Sequence, residues 1–439
     1  MNSGKMSMCC LFLRISYLRF FRYEVLFLVS LCSYSQSSSN CYVWGANIVE
    51  LFPVKKSAVI KVKDDFDLQG KTYLIPEGVI LLSEGGVIKN GTLIGQNTII
   101  KGNKPLFDEV KIRGVWNVEY IYSSLFRDLS KVNSLKQLFA LANPNQYNYI
   151  KIEKGKYLLE AYNKDYKVLK VPSNTTVVID GTLLLNPNNL KKYSVISIEN
   201  AVNVCIKGSG TVIGDKDLHL DKVGEWGMCI GVRNSDKITI SNLHIKKAWG
   251  DGIYIGKGSG IVDIRGCIID SCRRQGISLI AGTKINVRNC TITNVAGTRP
   301  GYAIDIEPNK YDTITNVQIH NIVVDNCNGG VSFTSLEKNK CLINQVEIKN
   351  CKITRTIKVP IRLRGANNVK VDKCNISNCS SDYIFTTSRS KNVSFTNNTI
   401  STQKYVFYDI NDFENYGNKI LKGTKVPMIT KKKLKEILK

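Results

Sequence analysis

The strongest constraint on this chain is a repeat. Seven segments, ITISNLHI, VDIRGCII, INVRNCTI, VQIHNIVV, VEIKNCKI, VKVDKCNI and VSFTNNTI, follow one pattern and centre on Asn242, Gly266, Asn289, Asn321, Asn350, Lys373 and Asn397. The steps between centres are 24, 23, 32, 29, 23 and 24 residues. Two earlier units, VVIDGTLLL around Asp180 and VCIKGSGTVI around Gly208, extend the series. Each unit reads as a short strand, a tight bend and a second short strand, with a third strand downstream in GIYI, GISL, AIDI, GVSF and PIRL. Strands this short bury no face alone. Coiled about a common axis, they pair in parallel with the coils above and below, ~4.8 Å apart. The expected fold is all-β: a right-handed parallel β-helix, a solenoid of about ten coils. A β-sandwich would not give so regular a period. Asn at the bend suits a residue that tolerates left-handed backbone. The 32- and 29-residue steps mark coils with inserted loops, where binding sites tend to sit.

The same frame assigns the cysteines. Fourteen in one chain suggest a disulfide framework, but Cys267, Cys290, Cys351 and Cys374 fall on one rung of the repeat. They read as small buried apolar side chains that are reduced. No metal-ligand spacing occurs, and His219, His244 and His320 are scattered. Upstream, SLKQLFALA places Leu135, Leu138, Phe139 and Ala142 on one face of a helix over Ser134–Ala142. Such a helix would cap the N-terminal end of the stack, which otherwise exposes core and strand edges. The expected layout is a signal peptide over 1–35, a β-rich N-terminal extension over 36–125, the β-helix over 126–418 and a basic tail over 419–439. The signal-peptide reading rests on Arg14, Arg19 and Arg22 ahead of the apolar run Val25–Leu31, with small residues at Ser33 and Ser35. No other stretch approaches ~20 apolar residues, so a secreted, periplasmic or cell-envelope location is expected, with no transmembrane segment.

Lys and Arg number 61 against 36 Asp and Glu, a formal charge of +25. Eight lysines against Glu436 lie in the last 21 residues, yet the body between the termini stays positive. A field of that sign favours anionic partners. Nucleic acid, anionic membranes and acidic polysaccharides all qualify on charge alone, and so does a Lys-rich solubilising surface.

The order helix, KIEKGKYLL, VPSNTTVVIDGTLLL, IKGSGTVIGD and ITISNLHIKKAWGDGIYI resembles the polygalacturonase-like (glycoside hydrolase family 28-like) branch of the pectate-lyase superfamily. The resemblance covers about residues 130–400. It implies a carbohydrate-active lineage, with an anionic polysaccharide and not nucleic acid as partner, in a monomer or a homotrimer like the tailspikes of that group. Trp249-Gly250-Asp251-Gly252-Ile253 is similar to the family's Asn-Thr-Asp-Gly motif, which would make Asp251 its first catalytic carboxylate. Where the family carries Gly-Asp-Asp, the next coil reads Arg273-Arg274-Gln275-Gly276, and the Gly-His-Gly and Arg-Ile-Lys motifs are not recognisable.

Strand alternation supplies the rest of a candidate site. Aligning Gly252, Gly276, Ala303, Gly330 and Pro360 turns Ile253, Ile277, Ile304, Val331 and Ile361 inward. Tyr254, Ser278, Asp305, Ser332 and Arg362 then point outward, followed two positions on by Gly256, Ile280, Glu307, Thr334 and Arg364. Asp305 and Glu307 are expected on one exposed face, their α-carbons ~6.5–7 Å apart by strand rise. That spacing is compatible with general acid/base cleavage of a glycosidic bond. Arg274, Gln275, Arg362 and Arg364 would bind sugar carboxylates, and Tyr254, Tyr302 or Trp226 would stack on sugar rings. The bland alternative is a solvated ion-pair ladder.

Three functions fit. The first is an exported glycoside hydrolase acting on a uronate-containing polysaccharide through Asp251, Asp305 and Glu307, with no cofactor. The second is a polysaccharide lyase, in which a Lys or Arg removes the proton α to the uronate carboxylate with help from Ca²⁺. The third is a non-catalytic glycan-binding or surface-structural solenoid. Glu337, an acid assigned to a loop outside the patch, would serve as a mutational control.

Overall fold

A computed structural model describes residues 41–44, 58–335, 340–381, 383–401, 405–406 and 413–420. The proposed signal peptide, the tail beyond 420 and Glu337 lie outside them. Every strand-to-strand pairing is parallel, and the repeat builds three sheets. One of eleven strands runs from Lys156–Leu159 to Lys419–Ile420, one of ten from Lys167–Lys170 to Tyr405–Val406, and one of twelve from Tyr120–Tyr122 to Phe413–Tyr416. Sheet neighbours are one coil apart in the chain, which is the right-handed parallel β-helix expected from the period. Among the described residues no helix is long and apolar enough to cross a membrane.

The bends explain the repeat consensus. Asn242, Gly266, Asn289, Asn321, Asn350, Lys373 and Asn397 all have φ between 53° and 63°, a region where Asn and Gly cost least. Gly266 lets the Asn242 side chain lie close beneath it. A β-carbon there would sit 2.2 Å from Oδ1 of Asn242 on the coil below. A second left-handed bend, at Lys247, Ser271, Asn294, Asn326, Arg355 and Asn378, escapes sequence inspection because its residue types vary. The residue after each of these bends keeps one role: Ala248, Cys272, Val295, Cys327, Thr356 and Cys379 are all buried.

Between bends the inward residues form unbroken rungs. Ile253, Ile277, Ile304, Val331 and Ile361 are paired in register from coil to coil and are at most 1% exposed. Cys267, Cys290, Cys351 and Cys374 occupy a corner rung as expected, each thiol directed at a backbone carbonyl one coil away or on its own coil. Among the described residues these rung cysteines are free thiols, as are Cys229, Cys272, Cys327 and Cys379, and all of them are buried. Burial pushes the Cys272 and Cys327 thiols up to about 12, so they are unreactive while folded. Thiol titration without reductant should find few reactive groups in the native protein and at least ten per chain after denaturation. Stoichiometric disulfides would overturn the rung assignment.

The helix is shorter than the sequence suggested, Leu135–Phe139. It buries Leu135, Leu138 and Phe139 and packs between the Lys167–Lys170 strand, where the ten-stranded sheet begins, and the Phe107–Asn117 strand. It therefore covers the open first edge of that sheet. Upstream strands from Cys41–Trp44 to Phe107–Asn117 form a separate seven-stranded sheet. Hydrogen bonds from Leu106 N to Leu125 O and from Arg127 N to Phe107 O join it to the stack.

Candidate active site

The outer face of the ten-stranded sheet carries the charged residues singled out above. At Gly276 the entry turn is tight: a β-carbon there would lie 2.5 Å from the Ala303 carbonyl on the next coil and 2.6 Å from Cγ2 of Ile292. The expected outward column Tyr254, Ser278, Asp305, Ser332, Arg362 is in register. Thr334 pairs with Arg364 beside it.

Direction is not accessibility, and here the structure corrects the sequence. Asp305 points outward yet is 1% exposed. Gln275 donates from Nε2 to Asp305 Oδ2 at 2.9 Å, and Gln275 Oε1 accepts from the Tyr302 backbone N–H at 2.7 Å. Among the described residues Asp305 Oδ1 has no partner within hydrogen-bond geometry. Burial first, then the charge of Glu307, push the Asp305 carboxyl up to about 7; the Arg362 and Arg274 guanidiniums and the Ser332 hydroxyl pull the other way. Glu307 is half-buried at the rim.

Asp251 is fully buried. Its carboxylate faces Arg274, with Nη1 at 3.3 and 3.2 Å from the two oxygens. Burial raises the Asp251 carboxyl to about 6 against the opposing pull of Arg274. Arg274 also lies 3.8 Å from Glu225 and feels the charge of Asp305. It thus links the two buried carboxyls, whose α-carbons lie about 14 Å apart by strand rise and spacing.

Several expected sugar contacts are already engaged. Gln275 is 0% exposed and fixes Asp305 and Tyr302, so it positions and does not face ligand. Tyr302 is buried, and Arg362 covers its ring with the guanidinium carbon 4.9 Å from the centroid, so it offers a sugar no open face. Arg362 also donates to the hydroxyls of Ser332 and Thr334. Arg364 is exposed. Tyr254 is half-buried under Arg233, 4.7 Å from its ring centre, and Trp226 stands out at 49% exposure.

A neighbouring cluster went unseen in the sequence, where His219 stands isolated. Asp215 accepts hydrogen bonds from the backbone and side chain of Asn188 and from the Tyr193 hydroxyl, and it meets His219 Nδ1 at 2.8 Å. The His219 ring stacks on Trp249 at 3.9 Å, and the Arg273 guanidinium lies 3.6 Å from the Trp249 ring centre. Trp249 leads directly into Asp251, so this stack buttresses the turn that presents the carboxyl. The four-residue spacing of Asp215 and His219 was the available signal, though it is common in any loop.

Stacked parallel coils in three sheets are the architecture of a right-handed β-helix, here with carboxyls and guanidiniums clustered on the ten-stranded sheet. The family model described as "Right handed beta helix region" matches residues 151–304 and 297–426, and the chain belongs to that family. Among curated proteins it is similar to two from Bacillus subtilis (strain 168). The SPbeta prophage-derived uncharacterized protein YorA is 28% identical over 196 residues, 38% of this chain and 33% of that protein. The uncharacterized protein YclG is 26% identical over 220 residues, 43% and 38% respectively. The chain thus matches 33% and 38% of the length of these relatives. Among solved structures, the polygalacturonase from Erwinia carotovora ssp. carotovora matches with TM-score 0.55 and 12% identity, over 75% of this chain and 99% of that one. At that identity the likeness is one of fold.

Proposed function

We propose that this chain cleaves an anionic polysaccharide by acid/base chemistry on the ten-stranded sheet. The observation that carries this reading is a pair of buried carboxyls, Asp305 in the outward column and Asp251 in the turn before the Ile253–Ile255 strand, raised to about 7 and about 6 beside arginines. Carboxyls tuned toward neutrality in this way are suited to proton transfer near pH 7. Asp305 acts as the general acid, Glu307 as the base that activates water, and Asp251 with Arg274 sets the charge around them. A sugar carboxylate draws Arg362 off Ser332 and Thr334 and so uncovers Asp305. The fold shared with a polygalacturonase supports the substrate class and leaves hydrolysis against elimination to experiment.

Screening a polysaccharide panel tests the proposal. Release of reducing ends without ultraviolet absorbance supports hydrolysis, whereas chelator-sensitive unsaturated products favour the lyase. The 1% exposure of Asp305 favours a second reading, a glycan-binding solenoid, which predicts binding with no release. In either binding mode affinity for a polyuronate should fall about tenfold or more between 50 mM and 500 mM salt, because the attraction is between screened charges. Salt-independent binding, or preference for neutral glucans, removes the charge argument.

A further inference from the structure

The outward column that holds Asp305 continues far beyond it. In register it runs Lys170, Ser197, Gly231, Tyr254, Ser278, Asp305. Between the terminal Lys170 and Asp305 the column itself carries the small, buried Ser197, Gly231 and Ser278 and the half-buried Tyr254, so it is a shallow trough with a buried floor. It is crossed midway by the Arg233 guanidinium, which lies over Gly231 and Tyr254 and adds a cation to the path. Lys170 lies five strand spacings from Asp305, about 24 Å. There the trough opens into a groove of about 430 Å³ whose lining includes Lys164, Tyr166, Lys167 and Lys170.

This groove is built for negative charge. Lys164, Lys167 and Lys170 line it with Asp165 and Glu199; Lys136 and Lys170 pair with Asp165, Lys167 pairs with Glu199, and Lys192 lies over the lining Tyr166. Lys164 and Lys192 have no ion-pair partner among the described residues; Lys192 instead lies over the Tyr166 ring, 4.8 Å from its centre. A second track leads from here to the site, because Lys192 pairs in register with Trp226. The chain just before Trp226 carries Glu225, the partner of Arg274.

We propose that the Lys164–Lys170 groove is a second binding site for the acidic groups of a glycan chain, so that one polymer lies along the trough from Lys170 to Asp305. This rests on the proposed function for its ligand class, polymeric and anionic, and adds where a distant part of the chain is held. Acidic groups on sugars are carboxylates or sulfates, and both meet the same ammonium groups.

The test measures binding alone, on the Asp305→Asn protein, with size-fractionated polyuronate oligomers and dextran-sulfate oligomers as probes. The triple variant Lys164→Glu/Lys170→Glu/Lys192→Glu should weaken oligomers longer than the trough at least tenfold and leave shorter ones within twofold. The milder Lys→Gln triple should give the same pattern in part, with an unchanged circular dichroism spectrum and melting temperature showing that the fold is intact. Whichever oligomer shows the length-dependent loss identifies the acidic group. Equal loss for short and long oligomers, no loss for long ones, or no binding of either probe overturns the proposal. Turnover by the wild-type chain is scored separately. Length-dependent binding without any cleavage therefore overturns the catalytic reading and keeps this site.

Discussion

Asp305→Asn and Glu307→Gln should each lower turnover on the polysaccharide identified by the panel at least ~10²-fold, the scale of a lost general acid or base. That is about 3 kcal/mol of barrier at 1.36 kcal/mol per decade. The geometry gives the two losses different signatures. With its carboxyl at about 7, Asp305 holds its proton through mildly acidic pH, so wild-type activity should decline as pH rises through about 7. The residual activity of Asp305→Asn should lack that limb. Gln275→Ala removes the donor to Asp305 Oδ2 and the acceptor for the Tyr302 N–H. It should move the limb while retaining more activity than Asp305→Asn, as befits a positioning residue. Glu347→Gln, in an ion pair with His320 on the twelve-stranded sheet, is the control and should stay near wild type. Full activity in both carboxyl variants would sink this site.

Stability should fall as pH rises from 5 to 8, an unusual direction for a chain with many paired carboxylates. The sign comes from proton counts. Asp305 and Asp251 ionise near the ordinary carboxylate value when unfolded and only at about 7 and about 6 when folded. Across that window the folded state binds more protons, so raising the pH favours unfolding. At 1.36 kcal/mol per unit, Asp305 alone accounts for a loss of about 3 kcal/mol between pH 5 and pH 8. Asp251 adds about 1 kcal/mol on the same scale. Below about pH 4 the trend reverses, because Asp65, Asp270, Asp325 and Asp372 are held low by hydrogen bonds or arginines and lose those contacts on protonation. Urea titrations at several pH values should show the fall, and Asp305→Asn should remove most of it and be the more stable protein at pH 8. A flat profile in the wild type would mean that Asp305 ionises normally and is solvated.

That second prediction depends on the burial of Asp305, where the strand pattern had placed it on an exposed face. Alternation gave the register correctly for every strand from Ile253 to Ile361, because a one-residue slip would put Ile on the outside. It gave the side of the sheet for Asp305 as well. It could not give depth. Depth was set by Tyr302 three residues earlier, by Gln275 from the preceding coil and by Arg362 two coils on, long side chains whose reach across coils has no period. The first bend was legible because Asn and Gly recur there. The second has the same backbone, but Asn holds only half of its positions, with Lys247, Ser271 and Arg355 at the others. The Asp215–His219–Trp249 stack joins parts of the chain that only the closed loop brings together.

The parallel stack has a consequence for how such a chain can change over generations. Strand pairing joins each coil only to the coils directly above and below it, so duplicating or deleting a whole coil keeps the pairing pattern and creates a single new coil-to-coil interface. Lys170, Asp251, Arg274, Asp305 and Arg362 come from different coils, and the stacking pitch alone sets their separations. A coil gained between Lys170 and Asp251 lengthens the ruler by one step and retunes which polymer fits. The same event between Asp251 and Asp305 draws Arg274 away from one of its two carboxyls and ends their coupling. Length variation in this lineage is thus compatible with the strand pairing everywhere and with the chemistry only outside the Asp251–Asp305 coils.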